Sequence, residues 1–429
     1  MREYRVNEQG HLVFGGCDTV ELAREYGTPL YAVDEGYIVE RCREIRNTFT
    51  DKYLNTRAAF ASKALQTLDV IRIVTREGMY LDTVSGGEIY AALKAGTDPS
   101  KILFHGNNKT EGEILYAVRN NIGRFVVDNE YELDMLEKAC SELGRVQKIQ
   151  LRITPGVDSH THSKINTGRL DSKFGISLEP ENRDRIIRKA MKSEHLDLMG
   201  FHFHVGSQLQ SNEDHLMALE ILLDLVREVR GNLGLEVKEL NLGGGFGVRY
   251  VDGEEDTRVS DFTEPMMDAI RAFCVEEKMA MPVIYIEPGR WVVANAGITL
   301  YTVGSIKEIP GMKTYVAVDG GMPDNPRYIL YEAEYEAVVA NKAGLPADKT
   351  VSIVGKCCES GDIVVEQTNL TGKVESGDVL CVFTTGAYNY TMASNYNRLP
   401  RPAMVLLREG EHRLSVRRET WEDLVAREL

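Results

Sequence analysis

The sequence predicts an α/β protein: a (β/α)8 barrel of the TIM type followed by an all-β domain, a Greek-key barrel or sandwich. Three observations lead to this prediction. From residue 58 onward a short apolar strand, a polar or glycine-bearing tip and a helical pattern alternate regularly. After about residue 290 short β-branched strands separated by turn residues replace this rhythm. The 429 residues are also enough for one barrel-sized domain and a smaller one.

Eight apolar runs account for the barrel. Regular alternation of strand and helix implies parallel pairing, because a helical crossover returns the chain to the same end of a sheet. Residues 109–120 and 213–230 carry apolar side chains at helical spacing and are predicted crossovers. The predicted strands cover residues 58–65, 80–86, 102–106, 125–129, 149–155, 198–207, 237–245 and 283–289. The longer gap after the fifth strand, with THSKINTGRLDSKFGI, is predicted to hold a loop over the barrel mouth.

The remaining chain is predicted to form the β domain. Its strands are expected over residues 299–309, 314–321, 350–355, 362–367, 378–383 and 412–419. The N-terminal HLVFGG, residues 11–16, also resembles a strand, and we expect the β domain to recruit it. The predicted domains are therefore an N-terminal segment, 1–30, that packs with the β domain, a barrel over 31–285 and a β domain over 286–429.

Composition excludes several classes of function. No apolar run approaches the roughly 20 residues of a membrane-spanning helix, and the first residues lack the apolar centre of a secretion signal. Seven scattered cysteines without CxxC spacing argue against a disulfide framework and against structural zinc. A formal charge of −15 disfavours binding to nucleic acid or anionic membranes. We therefore expect a cytoplasmic protein, and the charge says nothing positive about its substrate.

The ends of the predicted barrel strands carry polar or glycine residues. In such barrels the C-terminal strand ends share one face, which holds the active site. Lys63 stands within the near-continuous apolar run FASKAL, where an isolated lysine would ordinarily be one reaching solvent from a strand end. The other strand ends favour a lysine that points at a ligand. They are Asp82, Ser85 to Glu88, His105, Asp128, Arg152, His202, His204, Ser207, Gly243 to Gly245, and Glu287 to Arg290.

Three motifs give this face its chemistry. The run LNLGGGFG is either a flexible turn or a phosphate cradle of bare backbone N–H groups, and its place after the seventh strand favours the cradle. The two histidines of HFHVGSQ lie on one strand face, as a zinc pair would, but no third ligand accompanies them in sequence. A ring stacked on a flat ligand is the better use, and no metal site is predicted.

The EPGR motif completes the set. It could be a proline turn with a surface ion pair, but Glu287 ends an apolar strand and points into the predicted mouth. A carboxylate there can keep a heterocyclic nitrogen protonated. Together with Lys63, the cradle and a stacking ring, it describes pyridoxal 5'-phosphate held as a Schiff base.

A set of motifs in fixed order carries a family resemblance. They are ASKA (61–64), SGGE (85–88), HFHVGSQ (202–208), NLGGGFG (241–247), EPGR (287–290), NPRYILY (325–331), CCESGD (357–362) and GAYNYTMASNYN (386–397). Over nearly its whole length the chain resembles the diaminopimelate decarboxylase family, in the alanine-racemase-like, fold type III class of pyridoxal phosphate enzymes. Leu65 and Tyr328 depart from the usual motifs, which have KAN and RPxLY at these places.

The resemblance implies roles for particular residues. Lys63 would hold the cofactor covalently, His204 would stack on its ring, and Cys358 would donate a proton. Cys358 and Glu359 would enter the site from the other subunit of an obligate homodimer with shared sites. Further cofactor-binding residues would be Asp82, Ser207, Gly243, Gly244, Gly245, Glu287, Gly289, Arg290 and Tyr388.

The resemblance also implies a substrate. Glu359 suits a distal ammonium, whereas Arg327 and Tyr331, with Arg290 and Tyr388, suit a distal carboxylate. The expected reaction is decarboxylation of meso-2,6-diaminopimelate to L-lysine and carbon dioxide, the last step of lysine biosynthesis. Two alternatives stay open: decarboxylation of carboxynorspermidine or a carrier-bound glutamyl group, and a non-catalytic relative that binds partners.

Overall fold

The computed structural model describes residues 4–157 and 172–429. Most of the loop predicted between the fifth and sixth barrel strands, residues 161–171, lies outside these ranges. The chain forms two compact units: a barrel unit, Arg41–Gly247 with Asp256–Gly289, and a β unit made of the chain up to Glu40, Val248–Glu255 and Arg290–Leu429.

The barrel unit contains a closed ring of eight parallel strands, as predicted. Each strand pairs with the next, and the eighth pairs with the first. The strands are β1 Thr56–Ala61, β2 Tyr80–Thr83, β3 Ile102–Phe104, β4 Arg124–Val127, β5 Gln147–Thr154, β6 Leu196–His202, β7 Glu239–Asn241 and β8 Val283–Ile286. A short strand, Ile176–Ser177, pairs beside β5.

Helices return the chain between these strands. Several begin at a side-chain cap: Ser85 accepts from the backbone of Glu88, Asn129 from that of Glu132, and Thr110 forms a capping box with Glu113. Such caps satisfy N–H groups that a helix start leaves unpaired. The helices are Leu68–Arg76, Gly86–Ala95, Glu111–Arg119, Glu130–Leu143, Pro180–Lys192, Glu213–Leu233 and Val259–Glu276.

A column of polar side chains runs through the barrel interior. Glu239, at the start of β7, is buried and accepts from Arg124 Nη2 at 2.5 Å and from Gln150 Nε2 at 2.8 Å. Asn241 donates through Nδ2 to Gln150 Oε1 at 3.3 Å and to Glu287 Oε1 at 2.7 Å. These hydrogen bonds therefore pair the buried polar side chains of the barrel interior, from the start of β7 to Glu287 after β8.

The β unit is built on a mixed sheet. Its strands follow the order Ile363–Leu370, Lys349–Val354, Lys313–Val318, Gly297–Ile309, Leu30–Asp34, Ala403–Arg408 and Glu411–Val416. Val379–Val382 also pairs with Gly297–Ile309, and Ala337–Val339 pairs with Val379–Val382. Short helices in this unit are Thr19–Tyr26, Arg290–Val293, Arg327–Tyr331 and Trp421–Val425, and helix Glu35–Ile45 leads out of it.

The N-terminal chain joins this sheet, although by a different strand from the one predicted. Leu30–Asp34 inserts between two strands of the sheet, whereas Leu12–Phe14 forms a separate three-stranded antiparallel sheet with Arg5–Val6 and Cys17–Asp18. Leu12 still packs into the core of the β unit. No helix in the described part of the chain has the length and apolarity needed to cross a membrane.

Candidate active site

Lys63 lies on a short turn that directly follows β1. The turn, Ser62–Ala64, is fixed by the Ser62 hydroxyl, which donates to the backbone oxygen of Asp82 at 2.8 Å and to Glu88 Oε2 at 3.2 Å. Ser62 and Leu65 are buried, whereas Lys63 is exposed. The departure at Leu65 is therefore a core residue, and the turn presents the Lys63 side chain at the mouth.

Glu287 follows β8 and lies between two buried imidazoles. Its Oε1 is 2.9 Å from Nε2 of His105, and its Oε2 is 3.1 Å from Nε2 of His202. Burial alone would raise the pKa of Glu287, but the two imidazoles outweigh burial and hold this pKa well below its usual range. Asn241 Nδ2 donates a further hydrogen bond at 2.7 Å. Glu287 is thus an ionised carboxylate inside the barrel mouth.

The imidazole of His202 is neutral at physiological pH, because burial lowers its pKa to about 4 despite the neighbouring Glu287. His105, His202 and Glu287 offer ligand atoms within 4.8 Å of one another, a spacing that a metal ion could also use. Nε2 of His202, however, makes a hydrogen bond to one carboxylate oxygen, and Nε2 of His105 lies 2.9 Å from the other. The geometry favours two histidines that orient one acid.

His204 and the glycine run meet beside this acid. The backbone N–H of Gly244 donates to Nδ1 of His204 at 3.3 Å, so Nε2 carries the ring proton. Burial, followed by the charge of Lys63, lowers the pKa of His204 well below its usual value. His204 is therefore a neutral ring, and the lysine acts on it electrostatically.

No side chain fits in the glycine run. A Cβ on Gly244 would lie 2.0 Å from the backbone oxygen of Glu287, and one on Gly243 would lie 2.5 Å from that of Phe203. A Cβ on Gly245 would lie 2.4 Å from the Gly206 oxygen. Glycine is required here because the loops after β6, β7 and β8 touch through their backbones.

These residues fit pyridoxal phosphate. The amine of Lys63, the neutral ring of His204, bare backbone in the glycine run and an ionised acid at Glu287 are the groups that such a cofactor uses. Asp82 Oδ1 is buried and has no hydrogen-bond partner among the described residues, as expected where a polar ligand binds. Burial raises the pKa of Asp82, which His105 partly opposes from 3.6 Å.

Two buried arginines form a second cluster, within the β unit. Arg290 Nη1 donates to the hydroxyl of Tyr250 at 2.6 Å, and the guanidinium carbon lies 4.8 Å from the ring centre of Tyr388. The guanidinium carbon of Arg327 lies 5.4 Å from the same ring and 5.2 Å from that of Tyr331. Cation–π contacts of this kind stabilise the positive charge of a guanidinium but do not neutralise it.

Arg327 has no carboxylate partner among the described residues, and its buried Nε has no hydrogen-bond acceptor there. A buried guanidinium without a counter-ion is costly, so the cluster fits an anionic ligand group. Tyr328, which departs from the family motif, donates its hydroxyl to Glu366 Oε2 at 3.0 Å. Tyr328 is therefore held by Glu366 and does not belong to the arginine cluster.

Cys358 and Glu359 lie on an exposed loop of the β unit. The buried carboxylate of Asp362 fixes this loop by accepting from the backbone of Cys357 at 2.7 Å and of Met322 at 2.6 Å. Burial and Asp362 raise the pKa of Cys357 to about 12. Cys357 is therefore an inert thiol, whereas the neighbouring Cys358 points away from the core.

Part of this arrangement is not visible in the sequence. His105 and His202 were recognised as strand-end residues, but not as the pair that flanks Glu287. Tyr250 and Tyr335 were missed because neither belongs to a recognised motif, and a lone tyrosine ordinarily indicates packing. Tyr335 is buried and donates to Asn389 Oδ1 at 3.3 Å.

Similarity to known proteins agrees with this chemistry. The family model described as "Pyridoxal-dependent decarboxylase, pyridoxal binding domain" matches residues 35–294. The chain is 47% identical to diaminopimelate decarboxylase of Bacillus subtilis (strain 168) over 99% of this chain and 97% of the relative. It is also 47% identical to that of Bacillus methanolicus over 97% and 96% of the two chains.

A solved structure shares the fold. The crystal structure of diaminopimelate decarboxylase from M. jannaschii in complex with L-lysine superimposes with a TM-score of 0.92, at 34% identity, over 99% of this chain and 97% of that one. The chain therefore belongs to the pyridoxal phosphate-dependent decarboxylases, and pyridoxal phosphate is its cofactor. Within that class, it is a member of the diaminopimelate decarboxylase family.

Proposed function

We propose that the chain removes carbon dioxide from meso-2,6-diaminopimelate and releases L-lysine, as the last step of lysine biosynthesis in the cytoplasm. Full-length similarity to diaminopimelate decarboxylases supports this substrate, and a relative bound to L-lysine supports this product. Seven free cysteines, a pattern typical of reducing compartments, support the cytoplasmic location.

The observation that carries the reaction is the ionised Glu287 between two imidazoles. When bound, pyridoxal phosphate withdraws electrons from the carbon that loses its carboxylate. Lys63 would hold the cofactor and release it to the substrate amine. Glu287 would keep the ring nitrogen protonated, because its low pKa leaves a full negative charge there. His204 would stack on the ring and exclude water from one face.

The phosphate would be bound by the barrel loops. In the run Gly243 to Gly245, the N–H groups of Gly243 and Gly244 donate to Asn241 Oδ1 and His204 Nδ1. The N–H of Gly245 would therefore bind the phosphate, and all three glycines would leave room for it. We assign Ser207 and Gly289 to the same phosphate. The other proposed cofactor contacts are Asp82, Arg290 and Tyr388.

Product identification tests the proposal directly. Purified protein with added pyridoxal phosphate is incubated separately with diaminopimelate, carboxynorspermidine and a carrier-bound glutamyl substrate. We expect carbon dioxide and L-lysine in equal amounts from diaminopimelate only. Turnover of either other substrate without diaminopimelate turnover would refute the assignment, and no turnover of any would favour a non-catalytic relative.

The arginine cluster supplies the prediction on substrate choice. We propose that Arg327, with Tyr331 and Arg290, binds the distal carboxylate of the substrate, because Arg327 is buried and has no carboxylate partner in the part of the chain that the structure describes. Arg327→Ala should lower kcat/KM for diaminopimelate by at least about 30-fold, since losing one partner of a buried charge pair costs about 2 kcal/mol or more. Steady-state kinetics and melting curves measure this.

Arg327→Lys is the matched control for this prediction. It keeps the charge but not the planar pair of donors, so we expect an intermediate kcat/KM. An unchanged kcat/KM in Arg327→Ala, with normal folding, would remove the arginine from substrate binding.

We further propose that two copies of the chain share their active sites. The exposure of Cys358 and Glu359, on a loop fixed by Asp362, supports a role towards a second copy. Cys358 would supply the proton that replaces carbon dioxide, because a thiol can act as a general acid. Glu359 would bind the distal ammonium.

Mixed dimers test the shared site. Lys63→Ala and Cys358→Ala chains are each expected to be inactive, whereas a mixture should recover up to about a quarter of wild-type activity, since random pairing makes half the dimers hybrids with one intact site. Tagged chains and pull-down confirm mixing. No recovery in a confirmed mixture would place Cys358 in its own subunit's site or outside catalysis.

A further inference from the structure

His215 is a fully buried histidine that the proposed reaction does not use. It stands in the first turn of helix Glu213–Leu233. Its Nε2 lies 2.8 Å from the backbone oxygen of Gly244. Because a carbonyl oxygen only accepts, Nε2 is the donor and carries the ring proton.

Aromatic packing fixes the orientation of this imidazole. The His215 ring stacks on Phe246, with centroids 5.6 Å apart and planes at 26°, and meets the edge of Phe262 at 5.5 Å and 75°. Burial lowers the pKa of His215 to about 4, so the ring is neutral at physiological pH. The Nε2–H group of His215 therefore has a fixed direction, and the ring has a single charge state.

The residue that accepts this hydrogen bond has a second role. On its other side, Gly244 donates its N–H to Nδ1 of His204 at 3.3 Å. Gly244 also touches the backbone of Glu287, where a Cβ would have no room. The backbone of Gly244 thus links two imidazoles, one behind the loop and one in the mouth.

We propose that His215 is a positioning residue that fixes the Gly244 backbone and thereby sets both the phosphate cradle and the ring orientation of His204. Consecutive glycines have the largest backbone freedom of any residues, so a loop made of them needs an external contact to hold one conformation. The inference rests on the proposed function, because it assigns the cradle and His204 to pyridoxal phosphate.

Two substitutions separate the hydrogen bond from the packing. His215→Phe keeps an aromatic ring between Phe246 and Phe262 but has no donor. His215→Gln keeps an N–H near the position of Nε2 but loses the ring. Cofactor-free protein of each variant is titrated with pyridoxal phosphate, following absorbance for the dissociation constant, and its melting temperature is measured without cofactor.

We expect His215→Phe to raise the dissociation constant by about tenfold, as loss of a residue supporting a ligand-binding group does, and His215→Gln to stay within about threefold of wild type. Asn212→Ala is the control, because Asn212 donates to the backbone oxygen of Phe262 at the same helix start and has no hydrogen bond to the glycine loop among the described residues. It should lower the melting temperature and leave cofactor affinity unchanged.

The competing outcomes are distinct. Equal affinity of His215→Phe and wild type would overturn the inference. So would affinity that follows melting temperature across all three variants, since that result indicates general destabilisation. If His215→Phe does not fold, His215→Asn, whose amide is too short to reach Gly244, replaces it. Wild-type protein that binds no pyridoxal phosphate would instead refute the proposed function.

Discussion

Lys63→Ala is expected to lower kcat by at least about 10³-fold and to abolish covalent attachment of the cofactor. Lys63 is the residue that the turn after β1 presents at the barrel mouth, and its neighbours in the turn are buried. Without an amine at this place, the proposed covalent link to the cofactor aldehyde cannot form. Turnover assays and the mass of the borohydride-reduced protein measure the two effects.

Lys94→Ala is the control for this substitution. Lys94 is exposed in the last turn of helix Gly86–Ala95, which runs away from the mouth. The control should keep wild-type kcat and the reduced cofactor mass. Wild-type turnover by Lys63→Ala would remove the basis of the proposed mechanism.

Glu287→Gln is expected to lower kcat by about 10²- to 10³-fold, the loss seen when one preorganised electrostatic group is removed. Glutamine keeps the size and an acceptor but cannot supply the negative charge that His105 and His202 stabilise. The bound cofactor should therefore be a weaker electron acceptor. Stopped-flow and steady-state assays measure kcat, and absorbance confirms that the variant still holds cofactor.

Glu239→Gln is the matched control, because Glu239 is also a buried acid of the barrel interior. It pairs with Arg124 at the opposite end of the strands. Its loss should lower the melting temperature, since Arg124 is left without its partner, and should leave kcat near the wild-type value. Equal kcat in Glu287→Gln and Glu239→Gln would contradict the role given to Glu287.

The barrel could be predicted from sequence because its signals are local. Apolar runs indicate the strands and helical spacing of apolar residues indicates the helices, and all eight predicted strands occur. Their predicted ends extended into the loops, however: residues 198–207 were predicted where β6 is Leu196–His202. A strand ends where its hydrogen bonds to the neighbouring strand end. Where apolar or glycine residues continue past that point, the sequence does not show the boundary.

Long-range pairing could not be predicted in the same way. Leu30–Asp34 joins a sheet whose other strands lie more than 250 residues further along the chain. The local sequence of a strand does not indicate which distant strand it will pair with. His105 and His202 also lie beside Glu287 only because the ring of strands closes and brings the ends of β3, β6 and β8 together. The strand-end pattern predicted that Lys63 and Glu287 lie at the barrel mouth, whereas the two histidines that lower the pKa of Glu287 are seen beside it only in the folded barrel.

The arginine–tyrosine cluster belongs to a different unit of the chain from the lysine, the glycine run and the ionised acid. With Arg327 and Tyr331 assigned to the substrate as proposed, directed evolution towards other amino-acid substrates can randomise these two positions without changing any residue of the barrel unit. Variants selected from such a library would keep the cofactor-binding residues of the barrel unit and would differ from the parent in the substrate side chain that they accept.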